Sequence, residues 1–239
     1  MPFSAKFSAR LTVYLIAAAV LLAGDSPSTT LAEGKQHQAD APSARWESTI
    51  QKFEQQDEAN PPKKNHVLFV GSSSIRMWKL DQSFPDLQPI NRGFGGSEIA
   101  DSIHFADRII LKHEPRVVVL YAGDNDLAKG KTPERVTSDF RQFVATIHKS
   151  QPNTKIVFIA IKPSIARWKL IDEVRAANSA VAEICSKNES LEFVDIDRPM
   201  LGDDGKPRPE LFLKDGLHMT KAGYEIWSDL VRPHIVQRN

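Results

Sequence analysis

The sequence is almost free of thiols, and this limits the chemistry it can use. Cys185 is the only cysteine among 239 residues, so no disulfide can form within the chain. Val181 and Ile184 lie beside it at helical spacing, a pattern typical of a buried core thiol. We therefore expect Cys185 to be a packing residue and a poor candidate for a nucleophile.

The chain also lacks an excess of charge of either sign. It carries 31 Lys and Arg against 30 Asp and Glu, and loss of residues 1–32 would leave it formally neutral. Proteins that bind nucleic acids or anionic membranes usually present a basic excess. The balance of charge therefore predicts no nucleic-acid partner and gives no support for binding to an anionic membrane.

The N-terminal apolar stretch is too short to span a bilayer, which needs about 20 residues. Residues 11–23 follow Lys6 and Arg10, and small and polar residues lead on to Ala32. This order of charged, apolar and small residues is typical of a secretory signal peptide. We predict cleavage close to Ala32, a periplasmic or secreted product, and no stable membrane association after cleavage. An uncleaved anchor is the alternative.

Common nucleotide-binding and metal-binding patterns are missing as well. The sequence has no G-x-x-x-x-G-K-[ST] loop, and its glycine-rich stretch at residues 93–96 does not fit G-x-G-x-x-G. The seven histidines form no His-x-x-x-His pair or similar ligand set. The sequence therefore predicts neither of these phosphate-binding loops and no metal site.

Predicted strands and helices alternate from residue 66 to the C-terminal end. Alternation favours a parallel sheet with helices on both faces, and right-handed crossovers favour the flavodoxin-like order 2-1-3-4-5. We predict a signal peptide at residues 1–32, a disordered leader at 33–45 and one domain at 46–239, an α/β fold built as a three-layer α/β/α sandwich with a five-stranded parallel sheet. The predicted strands are 66–70, a short one ending near 91–92, 117–121, 155–161 and 191–196.

The clearest chemical feature is the turn after the first predicted strand. An apolar run at residues 67–70 ends at Gly71, and Ser72, Ser73 and Ser74 follow it. In open α/β folds, ligands bind at the carboxyl ends of strands, where free N–H groups at a helix N-terminus favour negative charge. A nucleophilic serine would suit this position, but serine-rich turns also serve simply as helix caps.

Other polar residues are expected at the same edge of the sheet. Gly96 and Asn125 lie in the turns after the second and third strands, and Asp215 and His218 precede the last helix. A nucleophilic serine needs a base, a carboxylate that orients the base, and N–H donors for the oxyanion. Each of these residues is ordinary in a turn when taken alone. Their joint occurrence, in this order, favours serine chemistry.

The order of the motifs resembles that of the SGNH hydrolases, the GDSL-type esterases and lipases. Gly-x-Ser stands in the first turn, Gly in the second, Gly-x-Asn-Asp in the third, and Asp-x-x-His near the C-terminus. The resemblance covers about residues 65–236. It implies a three-layer α/β/α fold, which agrees with the predicted order of elements, and no metal or organic cofactor.

The resemblance also implies the roles of individual residues. Ser73, Asp215 and His218 would form the catalytic triad. The N–H groups of Ser73 and Gly96 and the side chain of Asn125 would form the oxyanion hole. The family's usual first motif is Gly-Asp-Ser-Leu, whereas this chain has three consecutive serines after its glycine. Spacing from that glycine favours Ser73 as the nucleophile.

The neighbouring serines have expected places too. We expect Ser72 to tuck toward the sheet and bond neighbouring backbone, and Ser74 to cap the helix or bond an upstream carbonyl. Phe94, Trp78 and Trp168 are candidates to line the substrate pocket, and the alternative for all three is that they are packing residues.

The resemblance implies an exported serine esterase that hydrolyses carboxylic esters through an acyl-enzyme intermediate. The substrate would be a small-molecule ester or an acetylated sugar. Two alternatives stay open at this point. One is O-deacetylation of a carbohydrate or glycan on the same scaffold, and the other is a non-catalytic sugar-binding module.

Overall fold

The computed structural model describes residues 44–62 and 64–236. The predicted signal peptide at 1–32 lies outside the described residues, as does all but the end of the predicted leader at 33–45. A short 3₁₀ turn, Ala44–Trp46, precedes the first helix. The described fold therefore begins two residues before the predicted domain boundary. None of the helices in the described part of the chain is both long and apolar enough to cross a membrane.

Five parallel strands form the central sheet in the described residues. They are β1 Val67–Gly71, β2 Ile90–Gly93, β3 Val117–Tyr121, β4 Lys155–Ile159 and β5 Leu191–Val194. Their order across the sheet is β2-β1-β3-β4-β5, and every neighbouring pair is parallel. The predicted strand order is therefore confirmed.

Helices connect the strands and cover both faces of the sheet. They are α1 Glu47–Ala59, α2 Ser73–Met77, α3 Leu80–Ser83, α4 Ile99–His104, α5 Ala106–Ile109, α6 Asp124–Ala128, α7 Pro133–Ser150, α8 Ile171–Ser186 and α9 Lys221–Ile235. Thr132 caps α7, since its hydroxyl accepts the N–H of Arg135 and Pro133 takes the first helical position. Thr220 caps α9 in the same way through the N–H of Gly223. These caps fix where two long helices begin.

The alternation of side chains along the strands divides the core in two. Leu68 and Val70 of β1 face one core, which is completed by α1, α4, α5, α7 and α8. Phe69 faces the other, which is completed by α2, α3 and α9. Cys185 lies in the first core, and burial raises the pKa of its thiol to about 12. The prediction of an unreactive packing cysteine agrees with this placement.

The last two strands are shorter than predicted, because side chains take over their terminal backbone groups. Asn178 on α8 accepts the N–H of Ile161 at 2.8 Å and donates to its carbonyl at 2.9 Å. β4 therefore ends at Ile159. After β5, the Asp195 side chain accepts the N–H of Asp197 at 2.9 Å, and this turn ends the strand at Val194.

Two of the three aromatic residues expected to line a pocket belong to the core. Trp78 is buried among Phe69, Phe84 and Trp227. Phe94 is buried in the other core. Trp168 alone remains half-exposed. The first two side chains are therefore packing residues, because the large apolar surface of a ring is most stabilising where water is excluded.

Candidate active site

The serine turn lies at the carboxyl end of β1 and is tied to β3. Gly71 has a φ of +133°, and a Cβ there would lie 1.9 Å from the carbonyl oxygen of Tyr121. Only glycine allows this close approach. The N–H of Ser72 donates to the same carbonyl at 3.0 Å. Ser73 then begins α2, with its side chain half-exposed at the edge of the sheet.

The side chains of Ser73, His218 and Asp215 form one continuous chain of hydrogen bonds. The Oγ of Ser73 lies 2.9 Å from Nε2 of His218. Nδ1 of His218 lies 2.6 Å from Oδ2 of Asp215. With the proton on Nδ1, the imidazole donates to the carboxylate, and its free Nε2 accepts from the serine hydroxyl. Residues 145 positions apart are thus joined in the arrangement that proton transfer from serine requires.

Backbone groups hold Asp215 in place. Its Oδ1 accepts the N–H groups of Leu217 and His218, both at 2.9 Å. The side-chain hydrogen bond with His218, followed by these two N–H donors, lowers the pKa of Asp215 to about 2. The carboxylate is therefore ionised at neutral pH, and its two oxygens have separate tasks. One fixes the loop and the other orients the imidazole.

Two backbone N–H groups near the serine are unused within the described residues. The N–H of Ser73 and that of Gly96 have no acceptor in the part of the chain that the structure describes. Gly96 has a φ of +77°, which is the left-handed region that favours glycine. Its turn is tied to the serine turn by the Phe94 N–H, which donates to the carbonyl of Gly71 at 2.9 Å. Both groups are available to a ligand.

Asn125 presents an amide that is bonded on two sides. The side chain is only 8% exposed. Its Nδ2 donates to the carbonyl of Ser97 at 2.9 Å, and its Oδ1 accepts from Nη2 of Arg167 at 2.8 Å. An amide nitrogen carries two hydrogens, so one N–H remains for a ligand. The structure thus places all the residues predicted for the site at one edge of the sheet.

Sequence reasoning missed a buried polar cluster beneath these residues, which we call the Lys162 cluster. It consists of Lys162, Tyr121, Ser74, Asp124 and Arg167. The Nζ of Lys162, in a residue 2% exposed, donates to Tyr121 Oη at 2.8 Å, Ser74 Oγ at 3.1 Å and Asp124 Oδ2 at 3.2 Å. Nη1 of Arg167 lies 3.1 Å from the same Oδ2.

The cluster holds two cations, Lys162 and Arg167, against one carboxylate, Asp124, and burial is the main reason that the pKa of Lys162 is lowered. Burial alone would raise the pKa of Asp124, but the adjacent cations Lys162 and Arg167 outweigh burial and lower it. A sequence signal was available, because Lys162 lies three residues after the end of β4, directly after an apolar run. A lysine close after a buried strand indicates a residue at the ligand-binding edge of the sheet as readily as it indicates a solvent-exposed residue.

The structure corrects the expectations for the two flanking serines. Ser72 is buried as expected, but its Oγ has no hydrogen-bond partner among the described residues. The Oγ of Ser74 accepts from Lys162 instead of capping the helix or bonding an upstream carbonyl. The carbonyl of Ser74 accepts the Tyr224 hydroxyl at 2.8 Å. Of the three serine hydroxyls, Ser73 Oγ is the one bonded to the His218 ring.

We expect Lys162→Met to lower the free energy of unfolding by about 3 kcal/mol, because it leaves a buried carboxylate short of one partner. The loss should stay at the lower end of the range for broken buried pairs, since Arg167 still pairs with Asp124. Urea unfolding of both proteins measures it. Lys187→Met, which removes an exposed pair with Glu183, is the control and should leave the free energy of unfolding almost unchanged, since water screens that pair. Equal stability of the two variants would contradict the prediction.

Comparisons with known proteins find chains that are similar in sequence and in fold. The platelet-activating factor acetylhydrolase IB subunit alpha1 of Bos taurus is 25% identical over 189 residues, covering 75% of this chain and 78% of that protein. A GDSL-like lipase from Bacteroides thetaiotaomicron has the same fold, with a TM-score of 0.66, 22% identity, and coverage of 79% of this chain and 97% of that one. An acetyl-xylooligosaccharide esterase from Geobacillus stearmophilus superposes with a TM-score of 0.59 at 15% identity. The match covers 74% of this chain and 96% of that one.

A family model covers most of the described fold. The description of that family is GDSL-like Lipase/Acylhydrolase, and the match spans residues 72–226. This range contains every residue of the hydrogen-bond chain and both further N–H donors, from Ser73 to His218. The structural likenesses support the same fold independently. The chain belongs to the GDSL-like lipase/acylhydrolase family.

Proposed function

We propose that this ester hydrolase cleaves carboxylic esters through an acyl-enzyme intermediate formed on Ser73. The observation that carries the proposal is the continuous hydrogen-bond chain from Asp215 through His218 to the Ser73 hydroxyl. Because the family consists of ester-hydrolysing enzymes, the non-catalytic sugar-binding module weighed from the sequence is set aside.

The proposed reaction has two halves. As Ser73 Oγ attacks the ester carbonyl carbon, His218 Nε2 accepts the hydroxyl proton. The tetrahedral intermediate collapses, the ester C–O bond breaks, and His218 returns the proton to the leaving alcohol. Water then attacks the acyl-enzyme with the same base, which releases the carboxylic acid and restores Ser73. Asp215 holds the imidazole in the required tautomer and stabilises the imidazolium that forms transiently.

Three N–H groups would receive the negative charge that develops on the carbonyl oxygen. They are the unused backbone N–H groups of Ser73 and Gly96 and the second Nδ2 hydrogen of Asn125. Such donors are fixed before the reaction begins, so each is worth about 3 to 4 kcal/mol of transition-state stabilisation. The free N–H groups at the start of a helix are a ready source of that stabilisation.

We further propose that the acyl group is small, with acetate as the main product. Two of the proteins similar to this chain carry names that refer to acetyl groups, one a platelet-activating factor acetylhydrolase subunit and one an acetyl-xylooligosaccharide esterase. Their alcohol portions differ widely, so the shared feature that could extend to this chain is the acetyl group. The substrate would be a small-molecule ester or an acetylated sugar.

A panel of esters tests this proposal. We expect kcat/KM for p-nitrophenyl esters to be highest for acetate and to fall with each added pair of methylenes, because a pocket shaped for acetyl excludes longer chains. Acetate release from acetylated xylo-oligosaccharides is measured beside it. Release at rates comparable to the best small ester would favour a carbohydrate O-deacetylase. A preference for octanoate would contradict the small acyl group.

We also propose that the protein is exported. The support is the N-terminal order of Lys6 and Arg10, a short apolar stretch, and small residues up to Ala32. Mass spectrometry of the protein from its native host should find an N-terminus close to Glu33. A soluble periplasmic or secreted product is expected. Recovery of intact Met1 in a membrane fraction would instead support an uncleaved anchor.

A further inference from the structure

The orientation of the Asn125 amide depends on two neighbours. The two ends of a side-chain amide have nearly the same shape but opposite hydrogen-bonding character. Ser97 accepts from the Nδ2 end at 2.9 Å, and Arg167 donates to the Oδ1 end at 2.8 Å. A flipped amide would set an oxygen against the Ser97 carbonyl and a nitrogen against a guanidinium. It would also direct an oxygen at the ester carbonyl.

Arg167 is itself held in position by Asp124, and its segment is held by a backbone hydrogen bond. Its Nη1 lies 3.1 Å from Asp124 Oδ2, so one guanidinium bridges Asp124 and Asn125. The residue lies in the 3₁₀ segment Ile165–Leu170. Within that segment, the N–H of Ala166 donates to the carbonyl of Gly216 at 3.0 Å, between Asp215 and His218. The segment therefore contacts both the proposed oxyanion donor and the loop that carries the proposed base.

We propose that Arg167 is a positioning residue of the oxyanion hole, which fixes the Asn125 amide with Nδ2 toward the ester carbonyl and strengthens its N–H as a donor. The cation at Oδ1 draws electron density through the amide, and hydrogen bonds in a chain polarise one another. This inference rests on the proposed role of Asn125. Arginine suits the task because its planar fork can bond two partners at fixed angles, which a lysine ammonium on a flexible stem does less well.

A double-mutant cycle in the full chain tests the proposal with p-nitrophenyl acetate as substrate. Arg167→Met should lower kcat and kcat/KM together by about tenfold, part of the effect of losing a whole oxyanion donor, and leave KM within about twofold. Asn125→Ala should lower kcat and kcat/KM by more than Arg167→Met does. Adding Arg167→Met to Asn125→Ala should then cost no more than about twofold, because the group through which Arg167 acts is already gone.

Two additional measurements separate positioning from folding. Arg232→Met is the matched control, since it removes an arginine paired with Asp86 far along α9, and its kcat should equal that of the wild type. The Arg167 side chain is 19% exposed, so guanidinium ion at a non-denaturing concentration should restore part of the activity of Arg167→Ala. Sodium chloride at the same ionic strength should not. If Arg167→Met loses its fold, Arg167→Lys enters the same cycle and should show a smaller loss of kcat.

The outcomes distinguish this inference from the proposed function. Full activity in Asn125→Ala would remove Asn125 from the oxyanion hole, and with it the proposed function of that residue. A large loss in Asn125→Ala with an equal further loss on adding Arg167→Met would leave the oxyanion hole intact and overturn the positioning role. A raised KM with unchanged kcat in Arg167→Met would overturn it as well, because it would indicate direct binding of substrate.

Discussion

Ser73→Ala should abolish ester hydrolysis while the protein stays folded. Within the described part of the chain, the substitution removes the only hydroxyl bonded to His218, so no oxygen remains there to carry the acyl group. In a serine hydrolase with an intact oxyanion hole, such a loss lowers kcat by about 10⁶-fold. The side chain lies half-exposed at a helix start and makes its hydrogen bond to a histidine, so the fold should be unaffected.

The adjacent serines are the matched controls for this experiment. Ser72→Ala removes a buried hydroxyl that has no partner among the described residues, so its activity should remain near that of the wild type. Ser74→Ala removes an acceptor of Lys162 and should keep measurable activity, with a modest loss of stability. A fluorophosphonate label followed by peptide mapping reports the nucleophile directly. A label on Ser72 or Ser74, or full activity in Ser73→Ala, would refute the assignment.

Asp215→Asn is the second substitution with a large expected effect, a loss of about 10⁴-fold in kcat with the fold retained. An asparagine can donate to Nδ1 of His218, which places the imidazole proton on Nε2 and leaves no acceptor for the serine hydroxyl. Steady-state kinetics with p-nitrophenyl acetate, beside a thermal unfolding curve, measures both parts. Asp204→Asn is the control, since Asp204 accepts a backbone N–H in a similar turn of the same loop.

The pKa of Asp215 determines the pH range in which its carboxylate is ionised and can orient His218. Because the folded pKa is lowered from 3.8 to about 2, the folded state binds fewer protons than the unfolded state between these values. The contribution of the ionised Asp215 carboxylate to the free energy of unfolding is therefore complete above pH 3.8 and is lost as the pH falls through about 2. A change of kcat/KM with pH above 3.8 therefore does not come from protonation of Asp215. Near-normal turnover by a folded Asp215→Asn enzyme would remove Asp215 from the mechanism.

The sequence alone predicted the part of the candidate site that lies on short segments at the ends of strands, because the strand order places those segments. Alternating strands and helices allow few topologies, so the parallel order 2-1-3-4-5 could be predicted. That order brings the ends of β1, β2 and β3 to one edge. Asp215 and His218 lie three residues apart, so one turn is enough to bring their side chains together. The hydrogen-bond chain to Ser73 follows from these two facts.

Only the tertiary structure decided which polar groups are buried. Lys162 lies 88 residues from Ser74 and 38 from Asp124, so nothing local indicates that they form a cluster. Arg167 reaches Asn125 from a segment 42 residues away. For the same reason the sequence left two alternatives for Trp78 and Phe94, a pocket or the core, and the structure places both side chains in the core. Local pattern determines where a strand or turn forms, whereas burial depends on every element that closes over a side chain.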